Sequence, residues 1–184
     1  MDLSPIARVK GPSLVLRLIE PDDAAYVHGL RTNPAYNGHL SQVTGTVDDQ
    51  REWIENYKAR EAKGQELYYV IERKDGTRCG LIRLYDIEAD SFTWGSWILD
   101  ENKTCKAALE SAVLSFGVGF RMLVKSKALI DVRIENKKAI TFYRRFGMAQ
   151  THDDSQNIYF DYLRDRFEAD YEAHMRNLQK EPLE

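Results

Sequence analysis

The sequence predicts an α/β domain whose central sheet is mixed, mostly antiparallel, and flanked by helices. Three observations carry that expectation. Alternation and β-branched residues mark a strand in Leu14–Glu20, and Glu66–Leu99, punctuated by turns at Asp75-Gly76 and Glu88–Ser91, reads as three more. A period of 3.6, clearest in the apolar residues at 109, 112, 113, 116, 120 and 123, marks helices. The two kinds of segment follow one another with no linker, repeat or low-complexity stretch, the pattern of one layered core.

The elements follow in order. Leu14–Glu20 reads as a strand. Pro21 stands at a first helical position with two acids in the first turn, a helix start. "RTNPAYNGHLSQVTG" is rich in Asn, Gly and Pro and reads as a loop. Thr46 caps a helix that turns Trp53, Ile54 and Tyr57 inward and stops at Gly64. Three antiparallel strands span Glu66–Leu99, with turns at Asp75-Gly76 and at Glu88–Ser91. After "DENKTCKAALE" the 3.6-residue stripe gives a helix. Lys127–Ile134 is a strand, and Asn136 caps a short helix that ends at Gly147. A further strand falls near Met148–Asp153 and another in "NIYFDYLRD". A last helix over Arg166–Lys180 sets Phe167, Tyr171, Met175 and Leu178 on one face. The order is β-α-α-β-β-β-α-β-α-β, with the strand near Met148–Asp153 and the last helix added to it.

The 184 residues suit one domain, 1–184, with its core at about 14–163 and a C-terminal helix over 164–184. A hydrophobic share of 43% is enough for one core. A net charge of −3 leaves no basic face for nucleic acid. No window approaches ~18 uninterrupted apolar residues, so no membrane span is expected. The N-terminus has no apolar run of the signal-peptide kind. Cys79 and Cys105 have no metal-like spacing, so no metal is expected, and a reducing cytoplasm fits them.

A strand that feeds a loop at a helix N-terminus is a natural seat for a phosphate. Here the loop contains Lys103, Thr104, Cys105 and Lys106 and no glycine. The segment that settles its context lies downstream. "VRIENKKAITFYRRFGM" (Val132–Met148) resembles the signature of the GNAT N-acetyltransferases, N-x-x-A-x-x-x-Y/L-x-x-x-G-F after a strand. Asn136, Ala139, Tyr143 and Gly147 match it, and Met148 replaces the usual Phe. In the same frame "WGSWILDEN" resembles the family's fourth strand, "DENKTCKAALE" its pyrophosphate loop and "KALIDVRI" its fifth strand. The likeness runs from Leu14 to Leu163.

The resemblance implies the acyl-CoA N-acyltransferase fold and acetyl transfer from acetyl-CoA, as co-substrate, to an amine. That reaction needs a held thioester, a neutral amine and a proton for the leaving thiolate. It casts Tyr143 as the proton donor, against the alternative of amphipathic core filler. It assigns Ile98 and Leu99 to the pantetheine arm, the fourth and fifth strands splaying to free an edge. It assigns Asn136, also an N-cap, and Phe142 to the cofactor. Lys103, Thr104, Cys105, Lys106, Ala107 and Ala108 fall on the family's Q/R-x-x-G-x-G/A loop. Lys103 replaces Gln/Arg, Lys106 replaces a glycine, and Ala108 fits. Either the helix N-terminus and the lysines hold the pyrophosphate or the loop has lost that role. Cys105 has no His partner by spacing, and Trp94 and Trp97 read as core or cleft wall.

The general base is open among Glu72, Asp86, Glu88 and Thr93, candidates by location alone. His28, His39, His152 and His174 read as surface or loop histidines, with His39 in an acceptor-side loop. For the acceptor, "YYVIERKDGTRCGLIRLYDIEADSFTWGSWI" with "NKKAITFYRRFGMAQTHDD" resembles GNAT enzymes that act on nucleotide-linked amino sugars, and the polar-aromatic hairpin (Tyr85, Asp86, Phe92, Trp94) suits a sugar, which favours such a sugar or another small molecule. The segments "RTNPAYNGHLSQ" and "DDQREWIENY" also resemble ribosomal-protein N-terminal acetyltransferases, which keeps a peptide N-terminus open. A non-catalytic acyl-CoA-binding module is the third reading. The last helix suits packing on the domain or on a second subunit, which leaves a homodimer open.

Overall fold

A computed structural model describes residues 3–180 of the chain. Eight strands form one sheet in the order β1-β2-β3-β4-β5-β6-β8-β7. They are β1 Arg8–Lys10, β2 Leu14–Leu18, β3 Leu67–Arg73, β4 Arg78–Tyr85, β5 Ser91–Leu99, β6 Lys127–Arg133, β7 Ala149–Asp153 and β8 Asn157–Leu163. The helices are α1 Ala24–Thr32, α2 Pro34–Asn37, α3 Val47–Ala62, α4 Ala107–Gly117, α5 Lys137–Phe146 and α6 Arg164–Gln179. Every neighbouring pair is antiparallel except β5 with β6.

Each face of the sheet has its own core. β3 shows why its sequence reads as an unbroken apolar run: it is buried on both sides. Leu67, Tyr69 and Ile71 join Trp94, Phe116 of α4, Phe146 of α5 and Phe167 of α6. Tyr68 and Val70 join Val27 and Leu30 of α1 and Ile54 and Tyr57 of α3. The larger core has an aromatic centre, where Trp94 stacks on Phe116 at 4.8 Å.

Local signals set the element ends. Thr46 N–H donates to Asp49 Oδ2 at 2.6 Å and Asp49 N–H returns a bond to Thr46 Oγ1 at 3.2 Å, a capping box for α3. Gly76 takes φ 85° in the β3–β4 turn, where a Cβ is disfavoured. Gly147, at φ 96°, closes α5. Asn136 caps that helix by accepting from Ala139 N–H at 3.1 Å.

Three details differ from the sequence reading. β1 was not anticipated, because three residues give no usable period. The Asn-Gly-Pro loop contains a short helix, α2, since Asn33 caps it and Pro34 starts it. The expected long helix after the glycine-free loop is α-helical only to Gly117 and widens into a π turn over Val118–Met122. The last helix starts at Arg164, as the 164–184 bound has it, two residues before the apolar stripe, and residues 181–184 lie outside the described residues. Its stripe packs on the same chain: Phe167 is fully buried, and Tyr171 and Met175 lie against the larger core.

Candidate active site

The cleft opens where β5 and β6 part. They pair in parallel only at Ser91↔Lys127, Phe92↔Ala128 and Thr93↔Leu129. Beyond Thr93 the β5 edge has no β6 partner. A bulge in β5 accompanies the parting: Arg83 of β4 faces Gly95, but Leu81 faces Ile98, so β5 has one residue too many. Ser96 sits at the bulge with φ 51°, a strained setting for a residue with a Cβ. A cavity of about 240 Å³ fills the gap, with Tyr85, Ser96, Asp131, Asn136 and Tyr143 on its walls and His39 on the loop above.

Tyr143 reaches this gap from α5. Its ring is held edge-on to Trp94 at 5.9 Å and to Phe160 at 5.7 Å. Among the described residues its hydroxyl has no hydrogen-bond partner. Burial, and then the charge of Asp131, push its pKa upward. The phenol therefore keeps its proton at ordinary pH, as a proton donor must.

Asp131 escaped the sequence reading. Along β6, Ala128, Ile130 and Val132 are buried while Leu129 and Asp131 are exposed, which reads as an ordinary solvent face. The strand splay turns that face into a cleft wall. Asp131 is the one acidic residue lining the cleft, and it forms no ion pair among the described residues. By alternation it projects on the sheet face opposite the α4–α5 core, whereas Tyr143 comes from the α5 side.

The other base candidates lie elsewhere or are engaged. Arg17 and Arg8 donate to Glu72 at 2.9 and 3.4 Å. Asp86 and Glu88 stand in the β4–β5 turn, outside the cleft lining. Thr93 shares a neighbouring cavity with Asp131. His28 bonds the Gly45 carbonyl at 3.0 Å, His152 stacks on Tyr159 at 4.2 Å, and His174 stacks on Phe146 at 4.6 Å. Of the four, only His39 lines the cleft.

At the narrow loop before α4, the missing glycine has a structural account. Lys106 occupies the N-cap with φ −103°, a region open to any residue. Among the described residues the N–H groups of Cys105, Lys106, Ala108 and Leu109 have no acceptor, and Thr104 Oγ1 is buried without a partner. Ala107 is buried, and Cys105 is an exposed free thiol. Lys103 Nζ donates to the Asp100 carbonyl at 3.3 Å. Lys106 Nζ turns away to the end of α6, donating to the carbonyls of Asn177 at 2.7 Å, Leu178 at 3.3 Å and Lys180. Ile98 is buried in the smaller core, Leu99 lies against the larger one, and Phe142 packs on Trp97 at 5.1 Å.

Free N–H groups at a helix N-terminus, an orphan hydroxyl beside them and an unpaired strand edge fit a pyrophosphate with an extended arm. Such a frame, with a buried phenol at the gap, is of the kind an acyltransferase presents. The model of the acetyltransferase (GNAT) domain matches residues 13–149. The chain belongs to that family and is an acyltransferase.

Among solved structures, an apo form of FdhC, described as a nucleotide-linked sugar GNAT, is 37% identical, covering 92% of this chain and 97% of that one with a TM-score of 0.85. A variant of the spermidine N-acetyltransferase SpeG from Vibrio cholerae is 20% identical, with 85% and 97% covered and a TM-score of 0.71. A ribosomal-protein-S5-alanine acetyltransferase from Vibrio fischeri is 12% identical, with 86% and 97% covered and a TM-score of 0.75. The last two share the fold. No curated protein matches. Among the described residues no helix is long and apolar enough to cross a membrane.

Proposed function

We propose that the chain moves an acetyl group from acetyl-CoA to the amine of a nucleotide-linked amino sugar. The observation that carries this reading is the 37% identity, over 92% of the chain, to a nucleotide-linked sugar GNAT. The polar, aromatic cleft around Tyr85, Ser96 and Asp131 is compatible with a sugar.

Acetyl-CoA supplies the thioester. The open N–H groups of Cys105, Lys106, Ala108 and Leu109 and the Thr104 hydroxyl hold its pyrophosphate, and the β5 edge at Ile98 and Leu99 pairs with its pantetheine arm. Asn136 and Phe142 line the arm. Asp131 draws the acceptor ammonium into the gap and takes the proton it sheds. As the amine nitrogen bonds to the acetyl carbon and the carbon–sulfur bond breaks, Tyr143 Oη protonates the departing thiolate. The nitrogen, now bonded to the acetyl carbon, sheds its second proton through solvent, which resets the Tyr143 phenolate, and solvent removes the first proton from Asp131. The two groups approach from opposite faces of the sheet, so neither obstructs the other's partner.

A thiol-release assay over nucleotide-linked amino sugars, the same sugars without nucleotide, spermidine and N-terminal peptides tests the reading. Turnover should be highest, by at least about tenfold in kcat/KM, with a nucleotide-linked sugar. Preference for spermidine or a peptide overturns it. Failure to bind acetyl-CoA in calorimetry would overturn acetyl-CoA as the donor.

A further inference from the structure

A second cavity, of about 430 Å³, lies between α1, α3 and the β3–β4 face. Arg31, Trp53, Tyr68, Arg83 and Asp49 stand on its walls. Arg31 is only 8% exposed, yet among the described residues no carboxylate pairs with it. Its fork donates to the Ser41 carbonyl at 3.0 Å and hydroxyl at 2.8 Å, and to Ser96 Oγ at 3.5 Å. Its Nε is buried with no partner, and so is the Tyr68 hydroxyl. A buried guanidinium without a counter-ion is costly, and removing the cost requires an anion.

The remaining charges around the cavity cancel, two arginines against two carboxylates, so Arg31 is the charge in excess. Arg83 and Arg60 both bind one carboxylate, Glu66, so the three carry a net positive charge. Asp49 is the acid on the wall, and it is engaged by Thr46 N–H and Oγ1. Burial raises the pKa of Tyr68, with the Arg31 charge opposing it, so its hydroxyl stays a donor. The aromatic faces of Trp53 and Tyr68 suit a planar ring.

Position joins this cavity to the cleft. Ser41 lines both, and Ser96, which Arg31 touches, lines the cleft at the bulge. A planar guanidinium that offers paired donors matches phosphate oxygens. We infer that this cavity is the nucleoside-diphosphate subsite of the acceptor, with Arg31 binding the diphosphate at the border and the amino sugar passing Ser96 into the cleft. The inference rests on the nucleotide-sugar reading, but its direct test does not.

The test is calorimetry on the full chain saturated with CoA, so that the CoA site is filled. The probes are uridine diphosphate, thymidine diphosphate and inorganic pyrophosphate, titrated into wild type, Arg31→Gln and Arg31→Lys. At least one nucleoside diphosphate should bind wild type and lose about 10-fold or more in Arg31→Gln, the loss of a charged hydrogen-bonded partner. Arg31→Lys should recover part of it. Unchanged CoA affinity in both variants certifies the fold. In turnover, Arg31→Gln should raise KM for the nucleotide-linked sugar and leave KM for the bare sugar alone. Diphosphates that ignore wild type, or that bind wild type and both variants alike, overturn the inference. Wild type that binds diphosphate through Arg31 but acetylates no nucleotide-linked sugar would sink the proposed acceptor and leave the anion site standing.

Discussion

Tyr143 and Asp131 meet at one gap from opposite sides of the sheet, and their substitutions should separate chemistry from binding. Tyr143→Phe keeps the ring contacts with Trp94 and Phe160 and removes one proton. Turnover should fall by about 10²-fold, the lower range for general acid catalysis, with CoA affinity within about twofold. Asp131→Asn should lower kcat/KM for the amine acceptor by a similar factor. Steady-state kinetics with calorimetry decides; wild-type turnover in either variant removes that residue from the mechanism. Tyr143 and Asn136 were legible because their spacing belongs to one local segment. Asp131 and Arg31 were not. An acid on the exposed phase of a strand and an arginine in an amphipathic helix look ordinary until the strand splay and the α1–β3 cavity are built around them. Lys106 was half legible: its place at the helix start could be read, but its partners lie 71 or more residues away.

Elements depend on such distant ties. The amine of Lys106 closes the C-terminal turn of α6, whose last carbonyls have no partners within the helix. Lys106→Ala should therefore cost about 1 kcal/mol in urea unfolding, the scale of one charged end-cap interaction. If CoA affinity stays at the wild-type value in that variant, the lysine serves α6 alone; a drop shows that it also reaches the pyrophosphate. Glu110 ties the opposite side of α4. Its carboxylate is almost fully buried and accepts from Ser13 N–H and Leu14 N–H at 2.7 Å each, and from the Ser13 hydroxyl. The sequence marked α4 by its apolar stripe, whereas Glu110 on the same helix carried no sign that it was an inward clamp.

At the scale of the whole molecule, stability should respond to pH in two steps. Burial lowers the pKa of His174 below its usual 6.5, with the Asp170 charge partly opposing. Its folded form thus prefers to be neutral, and the contribution is full above pH 6.5 and fades as pH falls through the lowered value. The second step belongs to Asp23. Burial alone would raise its pKa, but the Arg17 bond at 2.8 Å and the Glu20 N–H outweigh burial and hold it below 3.8. That contribution is full above about pH 4 and disappears under more acid conditions. Urea midpoints from pH 8 to 3 should show both declines, and His174→Phe should abolish the first while keeping the second. The mixed sheet was legible from the order and period of the elements, and the helices that flank it from the resemblance of Val132–Met148 to the GNAT signature. The brief β1 and α2 were not, because their lengths fall below a usable period.

The sheet also has a mechanical seam. One set of strands runs from β1 to β5 and the other contains β6, β8 and β7, and within the sheet their ladder holds only three residue pairs, at Ser91, Phe92 and Thr93. A molecule lying between the diverging strands would add cross-links where the two strands no longer pair, and would act as a strut as well as a reactant. At a concentration of 100 times Kd, such a ligand adds about 2.7 kcal/mol to the folded state. The proposed chemistry thus occupies the place where the sheet is least complete.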